Sequence, residues 1–278
     1  MILHFSVSIK SKLKLLPLMV VICSMACRKS DRDYDKDTSG SMEYLTVEKN
    51  LYNIFRLTQE AAFTTAGISS LQPGLQITGW ADCDTFYTDT ISSTKTMVFD
   101  FKNGCYYLDR HFKGKMIVLT SGKWPQQGQK MEISFQDFYT DNILWGEKFE
   151  ILCMGQNSSG NWIMRIQNND SLILHKDQRA FFLFPNYTVL HNTNNTPVFS
   201  DDKWTYTGTN QGRLFNGAPF QTEITDSINL NYYCTHFLKG NVHLRQGNLS
   251  LREIATGQGE CDNSATVKIN GVNYLVIY

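Results

Sequence analysis

Seven cysteines, six histidines and a scatter of carboxylates are the side chains with which this chain could do chemistry. Ser92 and Lys95, in Ser92-Ser93-Thr94-Lys95, have the Ser-x-x-Lys spacing of penicillin-binding enzymes. That chemistry needs a helix to aim both side chains into one cleft and a Lys-Thr-Gly element downstream. Here the tetrapeptide lies between strand-like runs and no such element follows. His236, His243 and Asp262 could meet across a bend, but their spacing lacks the i, i+4 or alternate-strand regularity that aims ligands at one ion. No metal and no cofactor is therefore expected. Asp100, Asp109, Glu132 and Asp137 would serve glycoside hydrolysis only if the fold set two of them at the right separation, which sequence does not specify. On strands they read as solvated faces. No zinc helix motif, nucleophile elbow, phosphate loop or dinucleotide fingerprint occurs, so the chain is read as non-enzymatic.

Aromatic pairs offer binding in place of catalysis. Tyr106-Tyr107, Trp124, Phe138-Tyr139, Trp145 and Tyr232-Tyr233 carry flat apolar faces that suit sugar rings when exposed and a core when buried. Trp124 and Trp145 are the candidate glycan contacts. Charge excludes another class of partner: 26 basic side chains balance 26 acidic ones, leaving no net field to draw the chain to nucleic acid.

The elements that must position these groups begin with a leader. Lys10, Lys12 and Lys14 precede the apolar run Leu15 to Ala26, which stops at Cys27 and falls well short of the roughly 20 residues that span a bilayer. Small Ala26 before Cys27 resembles a bacterial lipoprotein cleavage site, with Cys27 as the lipidated residue; Cys23, after bulky Ile22, fits less well. An ordinary secretory peptide with Cys27 incidental is the alternative. Residues 28–44 are charge-dense and read as a flexible tether. Asp31, Asp33, Asp35 and Asp37 alternate but lack the glycine and glutamate offsets of a calcium loop.

Residues 45–70 read as an amphipathic helix, with Val47, Leu51, Ile54, Phe55 and Ala62 on one stripe, Thr46 as N-cap and Gly67 beyond the end. The stripe is expected to pack on a sheet. From about residue 75 the period becomes two: Met131, Ile133 and Phe135 alternate with polar residues, as do Trp162, Met164 and Ile166. Turn chemistry separates these runs at Thr140-Asp141-Asn142, Gln246-Gly247-Asn248 and Asn270-Gly271, the last predicting a closing two-residue hairpin. The polar stretch 191–203 is the expected seam between a first β-rich half, 75–190, and a second, 200–278.

Five cysteines follow the leader, and in an exported protein most are expected to pair. A glycine-cysteine element recurs, Gly104-Cys105 and Gly259-Glu260-Cys261. Each is preceded by another cysteine 22 or 27 residues upstream, with one strand-like run between. The repeat suggests Cys83 with Cys105 and Cys234 with Cys261, leaving Cys153 as a buried thiol.

These residues carry a resemblance. FDFKNGCYYLDRHFKGKMIVLTSG is similar to the Asp-Phe-Gly-x-Gly-Cys pattern, polar loop and Gly-Lys-Ile-Ile-Val run of a group of β-rich Bacteroidetes lipoproteins. GQGECDNSATVKINGVNYLVI resembles that group's ending through Gly259, Cys261, Asp262, Asn263 and Ala265 to Val267. Lys102 stands where the group has glycine. The resemblance implies architecture and location, not activity. The triplets Asp89-Thr90-Ile91, Asp170-Ser171-Leu172 and Asp226-Ser227-Ile228 resemble O-glycosylation acceptors of exported Bacteroidetes proteins.

The expectation is a mainly β protein of two related antiparallel β-rich halves with one N-terminal amphipathic helix. It is held to the outer membrane or cell surface by lipid at Cys27. Its role is read as structural or adhesive, the alternative being carbohydrate binding in a glycan-uptake system, with a glycan or another surface protein as partner.

Overall fold

The computed structural model describes residues 35–67, 85–89, 95–107, 110–168, 170–194, 196 and 198–278. The leader, Cys27, Cys83, Ser92 and Asp109 lie outside the described residues. A helix, α1 (Ser39–Gly67), precedes the strands β1 (Thr85–Asp89), β2 (Lys95–Asp100), β3 (Cys105–Tyr107), β4 (Arg110–Thr120), β5 (Lys130–Thr140), β6 (Ile143–Trp145), β7 (Phe149–Gln156) and β8 (Trp162–Gln167). They are followed by β9 (Leu172–Lys176), β10 (Arg179–Asn192), β11 (Lys203–Arg213), β12 (Pro219–Asn231), β13 (Lys239–Gln246), β14 (Arg252–Thr256), β15 (Ser264–Ile269) and β16 (Val272–Ile277). The protein is thus mainly antiparallel β with one helix near its N-terminus.

The helix starts earlier than its sequence suggests. Ser39 N–H donates to Asp37 Oδ1 at 2.9 Å, and the first helical bond runs from Met42 N–H to Thr38 O at 3.0 Å. Thr46 is therefore no cap: its hydroxyl donates back to Met42 O at 2.8 Å inside the helix. The tether assigned to 28–44 accordingly gives way to helix at Ser39, because burial of Tyr44 and Leu45 outweighs the local linker composition.

A second difference is larger. Val47, Leu51, Ile54 and Phe55 are buried as the stripe requires, but so are Glu48, Lys49, Asn50, Asn53, Arg56, Thr58 and Gln59 on the face expected to meet water. The sheet curls round the helix. Arg110 of β4 donates to Asn50, Gln59 reaches Met131 of β5, and Tyr52 meets Tyr206 of β11 edge-on at 5.9 Å. Tyr44 meets Phe220 of β12 at 6.0 Å, and Lys49 Nζ donates to the main-chain oxygen of Tyr278, after β16, at 2.6 Å. α1 therefore packs its apolar stripe on the sheet as expected but is enclosed on its polar face as well, where its side chains are kept by internal partners. Among the described residues no helix is long and apolar enough to cross a membrane.

All strand pairs are antiparallel and belong to one sheet. At its middle the sheet forks: β5 pairs β7 through one half and β6 through the other, while β10 pairs β8 and β9 in the same way. Pro185, which has no N–H to give, falls in the gap of β10 between Leu183, the last partner of β9, and Asn186, the first partner of β8. Asn270 (φ 52°) and Gly271 (φ 84°) make the predicted two-residue turn between Ile269 and Val272.

The stretch 191–203 is not a seam between separate bodies. It joins β10 to β11, which pair from Phe182↔Arg213 to Asn192↔Lys203, and Asp37–Tyr278 forms one unit. The two β-rich halves therefore share a single sheet and one core.

Cys234 and Cys261 are bonded, tying the connection after β12 to the turn before β15. Cys105 is disulfide-bonded as well. The sequence separation of 27 between Cys234 and Cys261 corresponds to roughly 3.5 kcal/mol of loop-closure entropy removed from the unfolded chain. A Cys234→Ser/Cys261→Ser variant should lose about that much in non-reducing urea denaturation; an unchanged unfolding free energy would show the clip to be ornamental.

Candidate functional site

The glycan contacts expected from sequence are not on the surface. Trp124 and Trp145 are 4 % and 1 % exposed. The Trp124 indole donates to Gln59 Oε1 at 3.0 Å and the Trp145 indole to Thr140 Oγ1 at 2.7 Å. A ring sealed by its neighbours with its N–H internally satisfied has no face left for a ligand, so both are core residues. The tyrosine pairs divide. Tyr106 and Tyr233 are 72 % and 71 % exposed, while their neighbours Tyr107 and Tyr232 turn inward and donate to Glu60 at 2.7 and 2.8 Å.

The acids read as solvated faces are mostly paired. Asp100 holds Lys115 at 3.2 Å and Glu132 holds Lys148 at 2.7 Å, whereas Asp137 is exposed on a bulge in β5 at φ 46°. His236 lies in the β12–β13 connection, where burial lowers its pKa to about 4. His243 lies in β13, and exposed Asp262 accepts from Ser264 in the turn before β15. Among the described residues no group of three or more His, Cys, Asp or Glu is placed to hold a metal ion. Cys153 is a free thiol, buried in β7, and burial pushes its pKa up, away from the thiolate a nucleophile needs.

A histidine-carboxylate pair does form elsewhere, His191 Nε2 to Asp202 Oδ2 at 2.6 Å. It cannot act on a ligand. The two side chains are 0 % and 3 % exposed, and His191 is enclosed by Phe63 at 4.8 Å, Trp204 at 5.1 Å and Phe199 at 6.0 Å. Its work is to fasten the end of β10 to the start of β11.

The open concavity lies on the face of β10–β13 turned away from the helix. Two lobes of about 590 and 570 Å³ share the cross-strand row Phe184, Gln211, Gln221 and Arg245. The register sets that row directly: Phe184 is opposite Gln211, Gln211 opposite Gln221, and Gln221 opposite Arg245. One row further along β10–β13 stand Asn186, Thr209, Glu223 and His243; on the other side stand Phe182, Arg213 and Pro219. Alternation turns Leu183, Phe220 and Leu244 into the core and leaves these residues facing out, with Phe184 38 % exposed.

The floor depends on two glycines of β11. Gly208 has φ 137° and lies beside a register shift between Tyr206 and Thr209; a Cβ there would stand 2.2 Å from Asn186 O. At Gly212 a Cβ would meet Phe182 O at 1.8 Å. Both let β10 and β11 approach where any side chain would push them apart.

The floor is also tied to the helix. Asn186 N–H donates to Asn210 Oδ1 at 3.1 Å, and Asn210 Nδ2 donates to Glu48 Oε1 at 2.8 Å. A single buried amide thus joins the middle of α1 to the strand that carries Phe184. Complete burial raises the Glu48 carboxyl to about 8, the Asn210 bond working the other way. Around neutral pH the acid is held mainly in its uncharged form.

Sequence reading missed the trough because its row is assembled from positions 184, 211, 221 and 245. One signal was present: Gly208 and Gly212 within a strand-like run mark close backbone approach. The fold and the trough together define an antiparallel β protein wrapped on a central helix, with an open polar groove across four strands. No family model, curated protein or solved structure matches the chain.

Proposed function

We propose that this is an exported, lipid-anchored, non-catalytic binding protein of the cell surface that captures carbohydrate in the trough across β10–β13. The location rests on the leader ending at Cys27, with the Cys234–Cys261 bond in keeping with an oxidising compartment.

The observation that carries the binding role is the row Phe184, Gln211, Gln221 and Arg245 on the floor of an open groove. An exposed ring offers its face to the C–H side of a sugar, and planar amides and a guanidinium offer the directed donors and acceptors that hydroxyl groups need. The groove is open along its length, which suits a chain better than a small enclosed molecule.

The test is a glycan array followed by titration calorimetry with wild type and Phe184→Ala. Wild type should bind at least one polysaccharide, and Phe184→Ala should weaken it ten-fold or more while its denaturation midpoint stays unchanged. A blank array, or equal affinity in the variant, would remove the reading.

A further inference from the structure

We propose that the lobe bounded by Phe182, Arg213 and Pro219 is a subsite for an anionic substituent, a carboxylate or sulfate, so that the ligand is an acidic polysaccharide. This deepens the carbohydrate reading and rests on it.

Several charges elsewhere in the sheet are neutralised by a neighbour across the strands. Lys130 meets Glu150 at 2.8 Å, Lys148 meets Glu132 at 2.7 Å, and Lys268 meets Glu253 at 3.2 Å. In the second lobe no such pair forms. Arg213 and Arg245 both line it, no carboxylate does, and among the described residues neither arginine makes an ion pair or a side-chain hydrogen bond. The register contributes: Arg245 stands opposite Gln221 and Arg213 stands between Phe182 and Pro219, so neither has an acid directly opposite it, and Glu223, diagonal to Arg245, lines the other lobe and makes no ion pair with it.

Strand spacing puts the two arginine Cα positions about 12 Å apart, two strands across and two residues along. Their side chains converge on one lobe from opposite sides. A guanidinium presents a planar fork that matches a carboxylate or sulfate with two parallel hydrogen bonds, which a solvated lysine does not. With no net charge on the chain, attraction comes from this pair alone and not from a long-range field.

The neighbouring lobe shares Arg245 but lacks Arg213 and adds a carboxylate. Glu223 and His243 face each other across β12 and β13 beside Asn186 and Gln211, a set suited to neutral hydroxyls. Glu223 would repel an anionic group placed there. The trough therefore has a direction, with the acidic group of the ligand held at the arginine end.

Titration of wild type, Arg213→Gln, Arg245→Gln, the double variant and Phe184→Ala against polygalacturonate, carrageenan and neutral laminarin tests this. Polygalacturonate carries carboxylates and carrageenan sulfates, so the two arms separate the sources of charge. Wild type should bind one of the acidic polymers at least ten-fold more tightly than laminarin. Each single variant should lose about five-fold or more of that affinity and flatten its salt dependence, and the double variant should lose the preference altogether. Binding of laminarin that depends on Phe184, with no preference for either acidic polymer, would overturn the anionic subsite and leave the carbohydrate reading standing. Acidic binding that survives the double variant would overturn the subsite too. If all three polymers go unbound, both readings fall.

Discussion

Arg56→Ala should destabilise the protein by about 3–5 kcal/mol, measured by urea denaturation, although arginine on the polar side of a helix ordinarily costs under about 0.5 kcal/mol to remove. Arg56 is 1 % exposed. Its Nη1 donates to Tyr232 O at 2.6 Å, and the guanidinium lies 5.9 Å from the centres of both the Tyr52 and Tyr232 rings. It also opposes the effect of burial on Glu60, whose pKa is raised. Truncation removes all of this together: a carbonyl loses its donor, a half-sequestered carboxyl loses its nearby cation, and a cavity opens beside two rings. Arg56→Met, which fills the cavity without the charge, should recover some of the loss. A cost below about 1 kcal/mol for Arg56→Ala would mean that α1 exposes this face and that the sheet does not enclose it.

Glu48→Gln should make the protein progressively more stable than wild type as pH rises from 4.5 towards 8, and the gap should level off above that. The sign follows from linkage. In the unfolded chain the carboxyl ionises near 4.5, but burial holds it protonated up to about 8 in the native state. Between those values the native state binds the extra proton, so its stability falls with rising pH by about 1.4 kcal/mol per pH unit. The substituted amide would keep an acceptor for Asn210 and never ionise, so the variant lacks this slope.

Lys49, next in the helix, provides the opposite arm. Burial, and then the nearby Arg110, lower it from 10.5 to about 7. There the unfolded chain binds the extra proton, so this contribution to stability is present above 10.5 and lost as pH falls to 7. Lys49→Met should therefore gain most over wild type below about pH 7, with the gain shrinking steadily as pH rises above that. Unfolding free energies of the three proteins between about pH 4 and 10 check both slopes; a pH-independent offset for Glu48→Gln would show that the carboxyl reaches water. Because Asn210 Nδ2 donates to Glu48, ionisation at high pH should strengthen that bond and tighten the tie to Asn186 on the trough floor.

Much of this was legible from local patterns. The alternation of Met131 and Ile133, the spacing of Leu51, Ile54 and Phe55, and the Asn270-Gly271 turn each report on residues close in the chain, whose conformations depend on sterics and period. The glycine-cysteine repeat pointed in the same way to Cys234 and Cys261, bonded as read. Where the reading failed, a local signal was overruled by distant partners. Thr46 has the chemistry of a cap, but Tyr44 and Leu45 are buried before it, and the helix runs on to Ser39.

Residue order alone was enough to specify the strands, their turns, the apolar stripe of the helix and one covalent clip, because all of these follow from steric period and from spacing along the chain. Folding in three dimensions was needed to place Glu48, Lys49, Asn53 and Arg56 inside, to make Trp124 and Trp145 core, and to bring Phe184, Gln211, Gln221 and Arg245 into a single row. A polar helical face looks the same whether water or a curled sheet satisfies it. Which one does is set by carbonyls and amides some two hundred positions away, and the strand register that lines up the trough exists only once the sheet has closed on the helix.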